Sequence, residues 1–169
     1  MKLLAIDGNS IINRAFYAIR PLSTKDGLFT NGIFGFMNIL LKLQHDVQPD
    51  GIAVAFDLKA PTFRHQIYSQ YKAGRKPMPD ELAQQLPLLK ELLRDYGCHV
   101  LEQPGYEADD LLGTLSEICK KDCVISTGDR DALQLVTDQV RVLLAATKAG
   151  QPVITSFDPA AVREKYGVS

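Results

Sequence analysis

The sequence predicts an α/β fold in which a mostly parallel central sheet is flanked by helices. Short apolar runs alternate with longer segments of helical periodicity, the order typical of parallel strands joined by crossover helices. The clearest runs, residues 2–7 and 50–57, are apolar almost throughout, which favours strands buried on both faces. Each of these runs ends in an aspartate, Asp7 or Asp57. Ligands of such sheets bind beyond the carboxyl ends of the strands, so both acids become candidates for a functional site.

The predicted strands are six short runs rich in apolar and β-branched residues. They lie at residues 2–7, 51–56, 98–101, 122–126, 140–145 and 152–157. The last two are predicted to form a hairpin through residues 148–150. A chain with this spacing of strands has room for a helix between most of them.

The predicted helices are the segments that repeat apolar residues at helical spacing. They lie at residues 11–19, 34–44, 80–95, from the 105–110 motif to about 120, and at 160–166. Asn9 or Ser10 can cap the first helix. Pro87 is expected to kink or interrupt the third helix, because proline removes a backbone donor inside a helix. Pro159 suits the first turn of the last one.

The composition fits one globular domain with a real core. The chain has 169 residues, of which 46% are hydrophobic and 23% charged. No apolar run approaches the roughly 20 residues of a membrane span, so we expect a cytoplasmic protein without membrane contact. The net charge of −1 selects no partner by itself. Cys98, Cys119 and Cys123 lie in or beside apolar runs, and we expect them to be reduced core residues.

Three carboxylates, Glu107, Asp109 and Asp110, lie together where a helix is predicted to begin. Helix capping is one interpretation, because acids in a first turn meet the positive end of the helix dipole. A bound cation is the other. Glu107 and Asp110 share a helical face with Leu111 and Ile118, and like charges directed toward a core need compensation. Asp109 projects elsewhere on an ideal helix. We favour the metal interpretation and keep capping as the alternative.

Seven acids are predicted to meet at the carboxyl edge of the sheet. They are Asp7, Asp57, Glu107, Asp109, Asp110, Asp129 and Asp131. One such acid is an ordinary turn residue, but seven at one edge repel each other strongly without cations. Ligation by oxygen alone favours Mg²⁺ or Mn²⁺. Several acids can hold two ions about 3.5–4 Å apart, the arrangement that activates a water and stabilises the leaving oxygen in phosphodiester hydrolysis.

A basic block at residues 59–76 contains five Lys or Arg residues and no acid. Phe63, Tyr68 and Tyr71 are interleaved with these cations. This combination suits a single nucleic-acid strand, because rings stack on bases while cations follow phosphates. A solvated surface helix is the alternative.

Several motifs of the chain resemble those of a known family. They are Asp7-Gly8-Asn9-Ser10, Ala55-Phe56-Asp57, Pro61-Thr62-Phe63-Arg64, Tyr71-Lys72-Ala73-Gly74-Arg75-Lys76-Pro77, Gly105-Tyr106-Glu107-Ala108-Asp109-Asp110 and Thr127-Gly128-Asp129-Arg130-Asp131. In this order they resemble the 5′ nucleases, which include the flap endonucleases and the N-terminal domains of bacterial DNA polymerases. The resemblance covers essentially all 169 residues. It implies a PIN-like fold with a helical arch over the active site, here at about residues 62–80.

The resemblance also implies an activity, a substrate and roles for named residues. The activity is 5′-3′ exonuclease and 5′-flap endonuclease cleavage of DNA in replication and repair, including removal of RNA primers, with a polymerase domain following in some relatives. The first metal would be held by Asp7, Asp57, Glu107, Asp109 and Asp110, and the second by Asp129 and Asp131. The phosphate-facing cations would be Arg14, Arg64, Lys72, Arg75 and Lys76, with Lys72 or Arg75 at the scissile phosphate. Tyr71 would stack near the scissile nucleotide.

The end of the chain bears on these expectations. Residues 167–169 stop before the family's Gly-Asp-Ser-Ser-Asp-Asn segment and its helix-hairpin-helix element, which the resemblance places next. We therefore expect a fragment or a short form whose second metal binds weakly. A metal- and single-strand-binding module without turnover is the first alternative function. A phosphatase or phospho-receiver domain is the second, but it leaves the basic block unexplained.

Overall fold

The fold is built on a six-stranded sheet in the order β3-β2-β1-β4-β5-β6. The computed structural model describes residues 1–68, 70, 71, 74, 77–119, 122–148 and 151–167. The strands are β1 Leu3–Asp7, β2 Gly51–Ala55, β3 His99–Leu101, β4 Cys123–Thr127, β5 Val140–Lys148 and β6 Gln151–Phe157. The first five run parallel, and β6 pairs antiparallel with β5. The predicted mostly parallel α/β sheet is confirmed.

Seven α-helices and one 3₁₀ helix connect the strands in the described residues. They are α1 Gly8–Ala18, α2 Asn31–Val47, α3 Phe63–Ile67, α4 Asp80–Ala83, α5 Gln85–Asp95, α6 Ala108–Ile118, the 3₁₀ helix Arg130–Leu135, and α7 Pro159–Tyr166. Part of the predicted arch lies outside the described residues. Within residues 62–80, the structure describes helices only at α3 and at the first residue of α4.

The bounds of two helices, α1 and α2, differ from the prediction. α1 begins at Gly8 because Asp7, rather than Asn9 or Ser10, caps it: the Ser10 N–H donates to Asp7 Oδ1 at 2.9 Å. α2 is longer at both ends than residues 34–44 and stops where Gln48 adopts a left-handed backbone with φ 51°. Apolar periodicity does not reveal which neighbouring residue caps a helix, so helix bounds predicted from it are uncertain by a few residues.

The predicted helix at residues 80–95 is interrupted, as expected from Pro87. The break falls at Gln84, between α4 and α5. A proline ring collides with the carbonyl four residues earlier, here that of Ala83, which is the last residue of α4. Pro87 therefore interrupts the helix one turn before its own position.

Both faces of the sheet are covered, so the strands are buried as predicted. On one face Leu4 and Ile6 of β1 pack in a core with Phe36 of α2 and Leu89 of α5. On the other face Ala5 packs in a second core with residues of α6, the 3₁₀ helix and β6, namely Leu112, Leu133 and Phe157. The residues of β1 alternate between the two cores because successive side chains of a strand point to opposite faces.

The buried face of α6 differs from the predicted one. Ala108, Leu112 and Ser116 are buried, whereas Ile118 is exposed. Glu107 precedes the helix as its cap and is buried, as the prediction of an inward acid requires. The buried face of α6 is therefore displaced by about one residue from the predicted face, which was counted on an ideal helix beginning at residue 107.

The cysteines are free and lie in the cores, as predicted. Cys98 and Cys123 are buried and Cys119 is half-buried. Burial, with smaller contributions from Cys119 and Asp122, raises the pKa of the Cys123 thiol to about 11. Burial also raises the pKa of Cys98. These thiols are therefore protonated packing residues at neutral pH. In the described part of the chain, no helix combines the length and apolar character needed to cross a bilayer.

Candidate active site

Five of the seven predicted acids line one cavity at the carboxyl edge of the sheet. The cavity holds about 220 Å³, and its lining residues are Asp7, Asn9, Ser10, Asn13, Asp57, Glu107, Ala108, Asp109 and Asp129. The parallel register brings the acids together, because Asp7 of β1 lies opposite Ala55 of β2, while Ile6 lies opposite Ser126 of β4. Each acid thus comes from the end of a strand or from the start of α6.

Asp7 is the most constrained of these carboxylates. Only 5% of the residue is exposed, and its Oδ2 accepts a hydrogen bond from the Thr127 hydroxyl at 2.8 Å. Burial raises the pKa of Asp7, and the negative charges of Asp57 and Asp129 raise it further, against the opposing effect of the Ser10 and Thr127 hydrogen bonds. The carboxylate of Asp7 is therefore strained electrostatically when ionised, and a cation in the cavity would relieve that strain.

Asp57 is fixed from two sides. Its backbone N–H donates to Asn9 Oδ1 at 2.9 Å, and its Oδ1 accepts the Ala108 N–H at 2.7 Å. Ala108 is the first residue of α6, so the positive end of that helix faces the Asp57 carboxylate. This contact ties the end of β2 to the start of α6.

Glu107 and Asp110 face an arginine and a tyrosine from the base of the predicted arch. Arg64 donates two hydrogen bonds to Asp110, from Nη1 at 2.8 Å and from Nη2 at 2.7 Å, and its Nη1 lies 3.7 Å from Glu107 Oε2. The Tyr71 hydroxyl donates to Glu107 Oε2 at 3.2 Å. Asp110 Oδ2 also accepts the Glu107 N–H at 2.9 Å, so the capping interpretation holds for Asp110. The hydrogen bonds to Asp110, with a smaller contribution from the charge of Glu107, raise the pKa of Arg64 further above its usual range.

The donor set of the cavity fits a hard divalent cation. Carboxylate, amide and hydroxyl oxygens line it, and such oxygens are the ligands that Mg²⁺ and Mn²⁺ take in proteins. Asp7, Asp57 and Asp129 have no ion pair within the described residues. As the side chains of the described residues stand, no three acidic, His or Cys groups are gathered closely enough to enclose an ion. Small side-chain rotations within one cavity are therefore required before several acids share a metal.

The remaining predicted site residues lie elsewhere. Asp131 is exposed and outside the cavity lining, and its N–H donates to Asp129 Oδ1 at 3.0 Å. Arg14 packs under the turn after β4, where Nη2 donates to the Gly128 carbonyl at 2.6 Å. A side chain at Gly128 would collide with that guanidinium. Lys72, Arg75 and Lys76 lie outside the described residues.

Three polar residues that hold the acids or the turn after β4 in place were not predicted as functional. Asn9 orients Asp57, Thr127 orients Asp7, and Ser10 accepts the Gly128 N–H at 2.9 Å. All three lie inside motifs that the sequence singled out, directly beside the strand-end acids. The sequence feature that could have identified them is their position beside a strand-end acid, because a short polar side chain there can hold a carboxylate in place.

The Arg64–Asp110 contact leads to a prediction for stability. Changing Arg64 to glutamine should lower the free energy of unfolding by about 1.5–3 kcal/mol, because a half-buried carboxylate loses two charge-assisted hydrogen bonds. Urea unfolding monitored by circular dichroism measures the change. The matched control is Arg94→Gln, since Arg94 pairs with Glu102 at 3.7 Å on a more exposed surface and should matter by less than about 1 kcal/mol. Equal losses in the two variants would contradict the prediction.

Comparison with known proteins identifies the family of the chain. It belongs to the family described as "5'-3' exonuclease, N-terminal resolvase-like domain", which it matches over residues 2–167. Its curated relatives include DNA polymerase I of Caldicellulosiruptor bescii at 45% identity and DNA polymerase I of Bacillus subtilis at 42%, each over 171 residues. The alignments cover 99% of this chain but only 20% and 19% of those relatives. The chain thus spans about a fifth of their length.

Solved structures share the fold at low sequence identity. A bacteriophage T5 5′-exonuclease with bound zinc has a TM-score of 0.70 at 18% identity, and the match covers 99% of this chain and 62% of that one. A T5 flap endonuclease in a complex with DNA and metal ions has a TM-score of 0.71 at 16% identity, covering 99% and 61%. These matches confirm the predicted 5′-nuclease fold.

Proposed function

We propose that this chain is a metal-dependent, structure-specific 5′ nuclease that hydrolyses DNA phosphodiesters at 5′ ends and 5′ flaps. The observation that carries the proposal is the single cavity lined by Asp7, Asp57, Glu107, Asp109 and Asp129 at the carboxyl edge of the sheet. Membership of the 5′-3′ exonuclease family supports it. So does the basic and aromatic segment at residues 59–76, whose described members Arg64 and Tyr71 reach the rim of the acids.

The acids would hold Mg²⁺, for which Mn²⁺ can substitute, with two ions expected in the complete enzyme and the second bound weakly in this chain. Asp7, Asp57, Glu107, Asp109 and Asp110 are proposed for the first ion, and Asp129 and Asp131 for the second. When bound, such ions activate a water and stabilise the leaving oxygen of a phosphodiester. Asp110 would take this role only after its contact with Arg64 is released.

The chain's own residues position the reaction. Thr127 and the Ser10 N–H hold the Asp7 carboxylate in a fixed orientation, and the start of α6 does the same for Asp57. Arg64, once free of Asp110, places a cation beside the phosphate, with Lys72 or Arg75 proposed to neutralise it. Tyr71 would stack on a base near the scissile nucleotide, and Arg14 would brace the turn that carries Asp129.

The proposed partners follow from the substrate. They are DNA carrying a 5′ flap or a 5′ end, RNA primers annealed to DNA, and a polymerase domain in the same native chain, as the DNA polymerase I relatives suggest. A cytoplasmic location beside the chromosome is part of the same proposal.

The direct test is cleavage of an end-labelled 5′-flap DNA in Mg²⁺, with EDTA as the control. Asp57→Asn should abolish metal-dependent cutting near the junction. Asp95→Asn is the matched control, because Asp95 ends α5 at the opposite edge of the sheet. This variant should cut the flap at the wild-type rate. Binding of the flap without any cutting by a folded wild-type protein would instead indicate the binding module. Turnover of small phosphoesters alone would indicate a phosphatase.

A further inference from the structure

A second cavity adjoins the acidic one. It holds about 410 Å³ and is formed by the loop after β2, the start of α3 and the turn before α6. Its lining residues are Asp57, Leu58, Lys59, Ala60, Pro61, Thr62, His65, Tyr106 and Glu107. Asp57 and Glu107 line both cavities and so form a shared wall between them. A group held at the acids is therefore next to whatever occupies this second cavity, which we call the adjoining cavity.

Aromatic surface is available in the adjoining cavity. Tyr106 is 50% exposed although its ring is held against Phe63, with 5.9 Å between the ring centroids. The backbone fixes this pair, because the Phe63 N–H donates to the Gly105 carbonyl at 3.1 Å and Gly105 has a φ of 85°, which favours glycine. A planar base can stack on such a preorganised ring at little entropic cost.

A polar donor and a cation complete the lining. The Thr62 N–H donates to His65 Nδ1 at 3.1 Å, so the neutral imidazole carries its proton on Nε2. That proton is available to an acceptor on a base edge. Lys59 is exposed, and no acid in the described parts of the chain forms an ion pair with it. Lys59 can therefore pair with a phosphate without first giving up another partner.

We infer that the adjoining cavity is the subsite for one of the two nucleosides that flank the scissile phosphate, a different nucleoside from the one proposed to stack on Tyr71. The base stacks on Tyr106 and accepts a hydrogen bond from His65, and Lys59 pairs with the phosphate of that nucleotide. Every base can stack on an aromatic ring, and a single donor reads little of the base edge. The subsite should therefore accept any DNA sequence. The inference rests on the proposed function, because the shared wall matters only if a phosphodiester sits at the acids. It assigns a ligand to a cavity that the acidic site does not use.

Fluorescence of 2-aminopurine tests the inference. The base is placed beside the scissile phosphate of a 5′-flap DNA, and binding is measured in Ca²⁺ at low salt. The wild type should quench the emission by stacking. Tyr106→Leu should lose the quenching and weaken binding roughly tenfold, whereas Tyr106→Phe should retain both. The matched control is Tyr96→Leu, because Tyr96 lies between α5 and β3 at the opposite edge of the sheet. This variant should quench the 2-aminopurine emission as strongly as the wild type.

A second variant, Lys59→Gln, tests the subsite even if Tyr106→Leu does not fold. Lys59 is an exposed loop residue, so Lys59→Gln should fold normally and reduce the slope of log K against log salt concentration by about one. Free 2-aminopurine nucleoside monophosphate, added alone, distinguishes capture of a released nucleotide from capture of a strand. Quenching of the strand but not of the monophosphate is the expected result.

The outcomes separate the two proposals. Equal quenching by wild type and Tyr106→Leu, or an unchanged salt slope in Lys59→Gln, overturns the subsite while flap cleavage by the wild type leaves the nuclease proposal standing. Quenching of the free monophosphate alone overturns a strand subsite. If the folded wild type neither binds nor cuts the flap, the proposed function fails and the subsite fails with it.

Discussion

Asp7→Asn should reduce cleavage of a 5′-flap DNA by roughly 10³-fold or more, because an amide carries no charge to hold a cation in the cavity. The fold should survive, since asparagine keeps an oxygen that can accept the Ser10 N–H and so cap α1. Single-turnover cleavage in Mg²⁺ measures the effect. Asp95→Asn serves again as the control at the opposite edge of the sheet.

The same variant should also change how stability depends on pH and on metal. Because the pKa of Asp7 is raised by folding, the folded state binds this proton more tightly than the unfolded chain. The contribution of Asp7 to stability is thus fully present below the ordinary carboxyl pKa and is lost as the pH rises through the raised value. In EDTA at neutral pH, Asp7→Asn should therefore be at least as stable as the wild type. Saturating Mg²⁺ should stabilise the wild type more than the variant.

A variant that is less stable than the wild type in EDTA at neutral pH, or that binds Mg²⁺ equally well, would contradict this account of Asp7. Thermal unfolding with and without Mg²⁺, followed by circular dichroism, provides both readouts in one experiment. Wild-type cleavage rates in the variant would remove Asp7 from the proposed site altogether.

Asp110→Ala should also abolish cleavage, but with the opposite effect on stability. The Asp110 side chain accepts two hydrogen bonds from Arg64 and one from the Glu107 N–H. Its removal should lower the free energy of unfolding by about 1.5–3 kcal/mol, because those donors lose a charged partner. Urea unfolding in EDTA measures the loss, and Asp7→Asn provides the contrast within the same acidic group.

The double variant Arg64→Gln with Asp110→Ala tests whether the two residues act as a pair. If they do, its loss of stability should be smaller than the sum of the two single losses. Strict additivity would mean that the bidentate contact contributes nothing to stability, and the loss on removing Asp110 would then come from its other contacts, which include the Glu107 N–H.

The sequence predicted the sheet and the positions of the acids because both depend on local patterns. Uninterrupted apolar runs such as residues 2–7 and 51–56 identify buried parallel strands, and an acid that follows such a run must lie at the carboxyl edge. Asp7 and Asp57 were placed by this reasoning alone. The resemblance to the 5′ nucleases added the family and the arch.

The sequence could not predict which partner each acid takes. Arg64 and Asp110 are 46 positions apart, and Asp7 and Thr127 are 120 apart, so no periodicity links them. The role of Asp7 as a helix cap was missed because the residue was read as the end of a strand, although it serves both elements. The resemblance implies that Arg14 is a phosphate-facing cation, and the sequence does not reveal that its Nη2 donates to the Gly128 carbonyl.

The hydrogen bond between Asp7 and Thr127 joins residues that are 120 positions apart in the sequence. β1 pairs with β4 across more than a hundred intervening residues, and proteins rich in such non-local pairings fold slowly. During synthesis the first strand and its acid emerge long before the fourth strand. A nascent chain that ends before β4 consequently lacks both the Thr127 contact and Asp129, and it cannot assemble the acidic cavity. The topology therefore delays assembly of the acidic cavity until β4 has joined the sheet.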